Sequence, residues 1–454
     1  MDLPDIKKLI VDNNPWWESG EIPSTLALPF RRPLLMQRLM KYLTVDRIVV
    51  LKGVRRAGKS TLMFQMAQQL LADGVAPRQI IFVDFEDFRL RHDIHQIIDA
   101  LDELYGGKFH EPPVKYLFLD EVHHIEHWES AVKVYFDRKR AAKFIVSGSS
   151  SPLVQRGADA LIGRCLEEKI LPLSFQDFIL CYHEKSELGE QIAKIKIEFA
   201  KGESLLAGAQ ILASQLVALN VILNSYLRRG GFAHVLEQTD PLLFQKDLRE
   251  GVVEKIIYRD LAQLYGIEQP EALERLFYCL AGQTAGLLNH ENLAKFLQIK
   301  QKDINAYVNY LQRTQLINLI VLYSSSAGKS VRNMPKCHLI DSGLMTAFGF
   351  YDDAKAIEAA IARHLYNARP FYWREQYEVD FVVQIGPRLL PIEVKYRENI
   401  ESEDLRGLGA FMKTFGAKDG ILVTKHDAGQ KSLAEGTVYL VPASVFLLSN
   451  GDLL

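Results

Sequence analysis

The sequence lacks the features that mark secreted, membrane-spanning and zinc-rich proteins. It has only 4 cysteines, and no two of them stand at the C-x-x-C spacing of zinc and redox motifs. No uninterrupted apolar run is long enough to cross a bilayer, and residues 1–19 lack the basic and apolar segments of a signal peptide. The formal net charge is only −2, so any contact with nucleic acid must come from a local basic patch. We expect a cytoplasmic protein with no membrane contact.

Length and composition indicate a globular protein of more than one domain. The chain has 454 residues, of which 48% are hydrophobic and 24% are charged, and these are ordinary proportions for a globular protein. A single hydrophobic core rarely serves so long a chain. We therefore expect two or three domains.

The sequence does contain a glycine-rich loop between a predicted strand and a predicted helix. Glycines let a backbone approach phosphate oxygens, Lys59 adds a positive charge, and Ser60 can ligate Mg²⁺. The loop fits the pattern G-x-x-x-x-G-K-S and therefore predicts an ATP site with Mg²⁺ as cofactor. The residues predicted to surround the nucleotide are Gly53, Val54, Arg55, Arg56, Ala57, Gly58, Lys59, Ser60 and Thr61.

Two acidic residues follow a predicted strand downstream of the loop. Residues 79–85 and 114–119 read as strands, and the second runs directly into Asp120 and Glu121. Strands that alternate with helices favour a parallel sheet, and ligands bind at the carboxyl edge of such sheets. We expect Asp120 to hold Mg²⁺ and Glu121 to polarise the water that attacks the γ-phosphate. An acidic pair that merely faces solvent is the less favoured alternative.

Further polar residues follow the next predicted strand, 143–150. A hydroxyl of Ser149 or Ser147 could hydrogen-bond the γ-phosphate or the attacking water. Arg164 is a candidate for a charge that meets the γ-phosphate, in the same subunit or from a neighbouring one, and an exposed structural arginine is an equally good interpretation.

Three histidines, His123, His124 and His127, follow the acidic pair. His123 and His127 have a spacing found in zinc sites, but the glutamate of H-E-x-x-H is missing. Histidines on a helix surface are therefore favoured over a zinc site.

Several short motifs together carry a resemblance to a known family. They are Trp16–Gly20, Gly53–Ser60, Phe118–Val122, Trp128–Glu129, Ser147–Ser150, Gly163–Arg164 and Pro172–Phe175. In combination they resemble those of prokaryotic AAA-type ATPases related to the STAND clade, over roughly residues 16–400. The resemblance implies an ATPase core followed by a C-terminal region of poorly defined role, and with Arg164 it suggests a homo-oligomer.

The middle of the chain predicts a winged-helix arrangement. Predicted helices at 271–280, 292–297 and 302–312 precede a predicted strand at 316–323, and the third helix of such a unit enters a DNA major groove. Seven basic residues and one acidic residue lie between positions 295 and 340, which favours DNA binding over a purely structural role. The basic residues are Lys295, Lys300, Lys302, Arg313, Lys329, Arg332 and Lys336.

The C-terminal part predicts a site for a second kind of phosphate chemistry. A turn at 385–388 joins two predicted strands, and a symmetric hairpin about it places Asp380 opposite Glu393 and Lys395 on the same face. Two carboxylates can share a divalent cation, and a lysine can help to deprotonate a water. The trio resembles the D…E-x-K signature of restriction-endonuclease-like folds, with Glu358 as a third acid. A solvent-facing charge ladder is the alternative, disfavoured because the flanking residues are apolar.

These observations predict an α/β protein with an N-terminal AAA-type P-loop domain, a helical and winged-helix middle, and a restriction-endonuclease-like α/β domain. The expected function is ATP hydrolysis coupled to DNA binding, with metal-dependent DNA cleavage as an extension. The alternative is an ATP-driven regulatory switch whose C-terminal region binds DNA or protein without chemistry. The expected domains are 1–180 (ATPase), 181–270 (helical lid or connector), 271–342 (winged helix) and 343–454 (nuclease-like).

Overall fold

The chain folds into two compact units. The computed structural model describes residues 3–27, 32–91, 93–138, 141–149, 161–183 and 186–453, and for residues 149, 183, 327, 329, 331, 452 and 453 it describes the backbone alone. One unit is Met1–Leu171 with Gln263–Gly266, and the other is Pro172–Ala262 with Ile267–Leu454. The last three expected domains therefore fall largely within one compact unit.

The first unit is a parallel sheet covered by helices, as the alternating pattern predicts. Its strands are β1 (Ile48–Gly53), β2 (Ile80–Asp84), β3 (Lys115–Asp120), β4 (Ala142–Ser149) and β5 (Cys165–Ile170). Its helices are α1 (Leu3–Asp12), α2 (Trp16–Ser19), α3 (Pro33–Leu43), α4 (Lys59–Ala72), α5 (Ile94–Leu104) and α6 (Trp128–Asp137).

The strand order of this sheet is β2-β3-β4-β1-β5, and all its pairings are parallel. Every residue of β1 is buried, because helices cover both faces of such a sheet and its strands become near-continuous apolar runs. The order places β4 between the loop strand β1 and the acidic strand β3. The carboxyl ends of the three strands therefore meet at one edge.

The helices after residue 171 include all three that the middle of the sequence predicts. A helix of the wide π type lies at Arg249–Leu261. The others are α7 (Phe175–His183), α8 (Glu187–Lys194), α9 (Gly202–Ile211), α10 (Leu216–Arg229), α11 (Pro241–Leu248), α12 (Ala262–Tyr265), α13 (Pro270–Gly282), α14 (His290–Leu297), α15 (Gln301–Arg313), α16 (Ala327–Arg332), α17 (Gly343–Ala347), α18 (Asp353–His364), α19 (Arg406–Phe415) and α20 (Ala443–Phe446).

The second unit contains two sheets. A small antiparallel sheet has the order β6-β8-β7, and a mixed sheet has the order β13-β14-β12-β11-β10-β9. The small sheet comprises β6 (Gly286–Leu287), β7 (Ile317–Ile320) and β8 (Lys336–Leu339). The mixed sheet comprises β9 (Phe371–Arg374), β10 (Glu378–Ile385), β11 (Arg388–Lys395), β12 (Asp419–Thr424), β13 (Gly429–Ser432) and β14 (Thr437–Pro442).

A pair of glycines after α10 is explained by a close approach of Asp341. The Asp341 carboxylate accepts hydrogen bonds from the backbone N–H of Gly231 at 2.7 Å and of Gly343 at 2.9 Å. Gly230 has φ of +73°, and a Cβ there would lie 1.8 Å from Asp341 Oδ1. Only glycine fits such a position. The pair has a structural role that the sequence alone does not reveal.

The remaining sequence expectations concern membranes and thiols. None of the single helices among the described residues has the length and apolar character needed to span a bilayer, although the bent pair Gly202–Ile211 and Ala213–Arg229, at 62°, passes by length and composition. All four cysteines are described, and none is in a disulfide. The cysteine result agrees with the absence of a disulfide framework in the sequence pattern.

Candidate functional site

The glycine-rich loop connects the end of β1 to the start of α4, as predicted. Gly58 has φ of +91° and immediately precedes the helix, and Arg56 also has a positive φ, of +63°. A Cβ on Gly53 would lie 2.3 Å from the carbonyl oxygen of Ile170, so glycine is needed for β5 to pack beside β1. The first N–H groups of α4 have no partner within the helix and favour an anion at this position.

The side chain of Lys59 is buried inside the loop. Its Nζ donates hydrogen bonds to the carbonyl oxygens of Gly53 at 3.2 Å and Val54 at 3.4 Å. The same Nζ lies 4.0 Å from Oε1 of Glu121. The ammonium is thus held by weak backbone contacts next to the acidic pair, where a phosphate oxygen would be a stronger partner.

Asp120 ends β3 and is buried beside two hydroxyl groups. Ser147 donates its hydroxyl hydrogen to Oδ1 of Asp120, and Ser60 also hydrogen-bonds this carboxylate. Burial, reinforced by the charge of Glu121, raises the pKa of Asp120 to about 6. A hydroxyl and a carboxylate are oxygen donors of the kind that Mg²⁺ prefers, so the described side chains fit the predicted cation.

Glu121 is held in an uncommon backbone conformation. Its φ is +52°, which for a residue with a side chain costs about 1 kcal/mol or more. Its backbone N–H donates to Asp120 Oδ1 at 3.1 Å, and its Oε2 lies 3.0 Å from Nδ1 of His123. These contacts aim the Glu121 carboxylate toward the loop lysine.

His123 is a site residue for which the sequence prediction is wrong. The sequence favours a helix surface, but the side chain is only 8% exposed and lies against Glu121. It belongs to the single-turn 3₁₀ helix Val122–His124. Across the described residues, no group of three or more His, Cys, Asp or Glu side chains is arranged to hold a metal ion.

Asp84 is a third acid at this edge, and the sequence reasoning assigned it no role. It ends β2 and pairs in register with Asp120. Burial raises the pKa of Asp84, and the charges of Glu86 and Glu121 add to the increase. The signal was present in the sequence, since two neighbouring strands of a parallel sheet both end in aspartate.

The two candidate serines of β4 differ in how much of each residue the structure describes. Ser147 is fully buried, and its hydroxyl is engaged with Asp120. Ser149 pairs in register with Gly53 of the loop strand, but its side chain lies outside the described part of the chain. The backbone alone therefore places Ser149 beside the loop.

Arg164 is not brought to the loop within one chain. Its carbonyl oxygen accepts a hydrogen bond at 2.8 Å from the N–H of Ile48, the first residue of β1. The loop begins at the other end of that strand, roughly 16 Å away at the usual rise per residue. The guanidinium instead pairs with Asp137 at 2.7 Å, and its side chain is 37% exposed. The side chain of Arg164 therefore does not reach the loop of its own subunit in this arrangement.

Comparison with known proteins agrees with this geometry. Residues 45–179 match the family model described as an AAA domain. With the loop, the acidic pair and the sheet order, the match supports an AAA-type P-loop ATPase. Residues 221–354 and 355–446 match two family models described as domains of unknown function.

The relatives found by sequence cover most of the chain at low identity. An uncharacterized protein of Methanocaldococcus jannaschii is 25% identical over 450 residues, which are 92% of this chain and 89% of the relative. An uncharacterized protein of Haemophilus influenzae is 25% identical over 321 residues, which are 68% of this chain and 71% of the relative.

Solved structures share similarity at lower identity still. The Aeropyrum pernix ORC1 protein in complex with DNA is 10% identical with a TM-score of 0.30, over 76% of this chain and 97% of that one. The S. cerevisiae Hsp104:casein complex is 14% identical with a TM-score of 0.30, over 70% of this chain and 55% of that one. C. elegans PCH-2 is 17% identical with a TM-score of 0.23, over 38% of this chain and 47% of that one. The chain thus spans about half the length of the PCH-2 and Hsp104 chains.

The second unit forms the predicted β10–β11 hairpin in the predicted register. Phe381 pairs with Ile392 and Val382 with Pro391, so Asp380 lies opposite Glu393. The backbone N–H of Asp380 donates to Oε2 of Glu393 at 3.3 Å. The side chain of Lys395 donates to the other oxygen of Glu393. The three residues predicted from the hairpin are therefore adjacent.

A fourth residue, Lys336 of β8, enters this cluster, although its charge in the sequence suggested a DNA-binding surface. Its Nζ lies 2.9 Å from Asp380, 3.4 Å from Glu358 and 2.5 Å from Glu378. It is buried. The predicted third acid, Glu358, thus reaches the cluster through Lys336.

The pKa directions in the cluster follow from burial and repulsion. Burial raises the pKa of Glu358 and of Glu393 to about 8, and the charge of Asp380 adds to both increases. Burial alone lowers the pKa of Lys336, but the carboxylates of Asp380, Glu358 and Glu378 outweigh it, so the net pKa is raised. Lys336 therefore stays protonated.

This arrangement does not fit the divalent cation that the sequence pattern assigned to Asp380 and Glu393. The sequence analysis used the cost of burying these carboxylates as the argument against a solvent-facing charge ladder. The ammonium of Lys336 supplies part of the compensating charge from within the chain, so burial of the carboxylates does not by itself indicate a metal. Four acids, Glu358, Glu378, Asp380 and Glu393, share two ammonium groups, those of Lys336 and Lys395. The cluster is therefore neutral without a metal only when Glu358 and Glu393, whose pKa values are raised to about 8, are protonated.

The basic residues proposed to contact DNA divide into two groups. The exposed ones are Lys295, Lys300, Lys302, Arg313 and Arg332. Lys300 and Lys302 flank the start of α15, and Lys295 pairs with Glu291. Lys336 is not available to DNA because it is buried. The side chain of Lys329 lies outside the described residues.

Proposed function

We propose that this protein binds and hydrolyses ATP in its AAA-type domain, and that the nucleotide state controls a C-terminal region that binds DNA. The observation that supports the hydrolytic part is the convergence of Lys59, Ser60, Asp120 and Glu121 at one edge of the sheet. Two adjacent pairs, Lys59 with Ser60 and Asp120 with Glu121, come from separate parts of the sequence and would supply the phosphate, cation and water functions of an ATPase there.

Each residue has a distinct role in this proposal. Lys59 leaves the carbonyl oxygens of Gly53 and Val54 and binds the phosphates. Ser60 and Asp120 would hold Mg²⁺, which neutralises charge on the phosphate oxygens when it is bound. Glu121 orients the attacking water and accepts its proton, and His123 keeps the Glu121 carboxylate in place.

Arg164 is proposed to act on the ATP of a neighbouring copy of this chain. Its exposed guanidinium and its position at the amino edge of the sheet are compatible with a role in a neighbouring subunit and not in its own. The proposal therefore includes a homo-oligomer. The salt bridge to Asp137 would keep the guanidinium extended until a neighbour is present.

The DNA-binding part rests on α13, α14, α15 and the small sheet. Their order is that of a winged helix, in which the third helix enters the major groove. The side chains of Lys300 and Lys302 are exposed at the start of that third helix. Positive charge at this position would neutralise backbone phosphates.

The second candidate, a regulatory switch without DNA cleavage, is favoured over a nuclease by one observation. Lys336 occupies the space among the carboxylates where a nuclease needs its cation. In this candidate the C-terminal region binds its partner and performs no chemistry.

Hydrolysis is tested on the full chain with Lys59→Ala and Glu121→Gln. We expect Lys59→Ala to abolish tight ATP binding, and Glu121→Gln to retain binding while hydrolysis falls by about 10²-fold or more, the usual contribution of a general base. Phosphate release and binding of a fluorescent ATP analogue are measured on the same preparations, with and without duplex DNA. Normal hydrolysis by Glu121→Gln would remove Glu121 from this role.

A further inference from the structure

The carboxylate cluster of the second unit holds a lysine where a metal would be expected. The Nζ atom of Lys336 contacts carboxylate oxygens from three residues, Glu358, Glu378 and Asp380, at 2.5 to 3.4 Å. The three come from α18 and β10, and the opposite strand β11 adds Glu393. Several carboxylates from different elements that converge on one buried cation is the arrangement that proteins use for divalent metals.

The backbone of Lys336 is fixed on both sides. β8 is the central strand of the small sheet, where Lys336 pairs with Leu287 of β6 and Ile320 of β7. The carbonyl oxygen of the preceding residue, Pro335, accepts a hydrogen bond from Leu288 at 2.8 Å. The backbone position from which the side chain reaches the carboxylates is therefore held by two neighbouring strands. The ammonium itself is held by its burial and by its three carboxylate contacts.

The second oxygen of Asp380 is also occupied. Oδ2 accepts a hydrogen bond from the backbone N–H of Val394 at 3.0 Å, and Oδ1 accepts one from Nζ of Lys336. One oxygen of Glu393 receives Lys395, and the other receives the N–H of Asp380. Each of these oxygens keeps a second lone pair, so the hydrogen bonds alone do not exclude a metal. A divalent cation bound there would, however, lie next to two ammonium groups of the same sign.

We propose that the ammonium of Lys336 is the permanent resident cation of this cluster and excludes divalent metals from it. The C-terminal region would then use the D…E-x-K arrangement for structure and not for phosphodiester cleavage. The inference concerns the second unit alone and does not depend on ATP hydrolysis. It assigns Lys336 a role that neither DNA binding nor nuclease chemistry includes.

The test is a titration of the nucleotide-free full chain with Mn²⁺, with free Mn²⁺ followed by electron paramagnetic resonance. All proteins carry Asp120→Asn, which removes the cation ligand of the ATP site. With Lys336 present we expect no Mn²⁺ binding that depends on Asp380. Lys336→Met should create one Mn²⁺ site, with an affinity at least tenfold higher than that of any Mn²⁺ binding by the protein that retains Lys336. Adding Asp380→Asn should abolish that site.

Lys336→Arg is the matched control, because it retains a positive charge and should bind no Mn²⁺. Lys336→Gln replaces Lys336→Met if the methionine variant does not fold. The protein with Lys336 intact gives an independent result even if neither folds. A Mn²⁺ site in that protein that disappears with Asp380→Asn overturns the proposal, as does the absence of a new site in a folded variant that lacks the lysine.

Discussion

The hydroxyl of Ser147 in β4 donates a hydrogen bond to Oδ1 of Asp120 in the neighbouring strand β3. The same carboxylate oxygen accepts the N–H of Glu121 at 3.1 Å. One buried serine therefore orients the proposed cation ligand and the residue that follows it. The consequence is that Ser147 should influence the affinity for Mg²⁺ through its hydrogen bond to Asp120.

Ser147→Ala should raise the Mg²⁺ concentration that gives half-maximal ATP hydrolysis by about tenfold. A hydrogen bond to a charged group is worth about 1.5 to 3 kcal/mol, and its loss leaves Asp120 free to turn away. The exposed Ser130→Ala is the control. Initial rates over a range of Mg²⁺ concentrations measure this midpoint. An unchanged midpoint would mean that Ser147 contributes to packing and not to Mg²⁺ binding.

Arg164→Ala should lose most of its ATP hydrolysis and regain part of it when mixed with Glu121→Gln. In the mixture, a subunit with an intact ATP site can receive Arg164 from a Glu121→Gln neighbour. An arginine supplied to the γ-phosphate contributes about 10³-fold or more to the rate. Hydrolysis is measured for each variant alone and for equimolar mixtures. Full activity of Arg164→Ala alone would leave the residue with its structural role beside Asp137.

Charge reversal of Lys300 and Lys302 should weaken duplex DNA binding and flatten its salt dependence. Each phosphate contact adds about 0.9 to the slope of log affinity against log salt, so the loss of two contacts should reduce the slope by about 2. Fluorescence anisotropy at several salt concentrations measures both effects. Lys246→Glu with Lys255→Glu, at exposed positions in preceding helices, controls for total charge. Equal effects of the two double variants would place the DNA surface elsewhere.

Lys336→Met should destabilise the second unit by about 3 to 5 kcal/mol. Removal of one partner from a buried ionic cluster leaves the other charges uncompensated. Adding Asp380→Asn should restore part of the loss, because it removes one of those charges. Urea unfolding of the single and double variants provides the free energies. A double variant that is less stable than Lys336→Met would argue against direct compensation between the two residues.

The contribution of His338 to the stability of the second unit should fall in acid, whereas the raised pKa values of Glu358 and Glu393 act in the opposite direction. Burial, reinforced by the charge of Lys336, lowers the pKa of this imidazole to about 3, from about 6.5 in an unfolded chain. Because the pKa of His338 is lower in the folded state, its contribution to the free energy of unfolding is complete above pH 6.5 and is lost as pH falls toward 3. The expected slope is about 1.4 kcal/mol per pH unit in that window.

His338→Phe isolates this contribution, since phenylalanine has a similar ring and no titrating group. The difference in unfolding free energy between the two proteins should change across pH 6.5 to 4 and stay constant above pH 7. Within the described part of the chain, neither ring nitrogen of His338 has a hydrogen-bond partner, so the fold should also tolerate the substitution at neutral pH. Parallel pH dependences of the two proteins would contradict the assignment.

The sequence was a good guide wherever a local rule fixes the position of a side chain. The strand-loop-helix pattern and the carboxyl edge of a parallel sheet correctly brought Lys59, Ser60, Asp120 and Glu121 together. The symmetric turn correctly predicted the register of Asp380 and Glu393. These rules depend only on strand periodicity and on residues close in the chain.

The sequence failed where long-range packing decides. The charge of Lys336 is visible in the sequence and groups it with the exposed basic residues, whereas its burial among acids from α18 and β10 is not visible. The order of the motifs suggests that Arg164 contacts the phosphate. It does not show that Arg164 precedes β5 and so lies at the amino end of the strands, opposite to the loop. The missing glutamate of H-E-x-x-H favours a helix surface for His123, but Glu121, with its positive φ, redirects the chain there.

The contact between Lys336 and its carboxylates also constrains how this protein can evolve. The lysine comes from a small sheet packed among helices, and its partners come from α18 and the β10–β11 hairpin. A recombination that brought in a foreign hairpin would leave the lysine without its acids, or the acids without their lysine. The helical and sheet halves of the second unit must therefore be inherited together, and substitutions at Lys336 and Asp380 should arise as pairs.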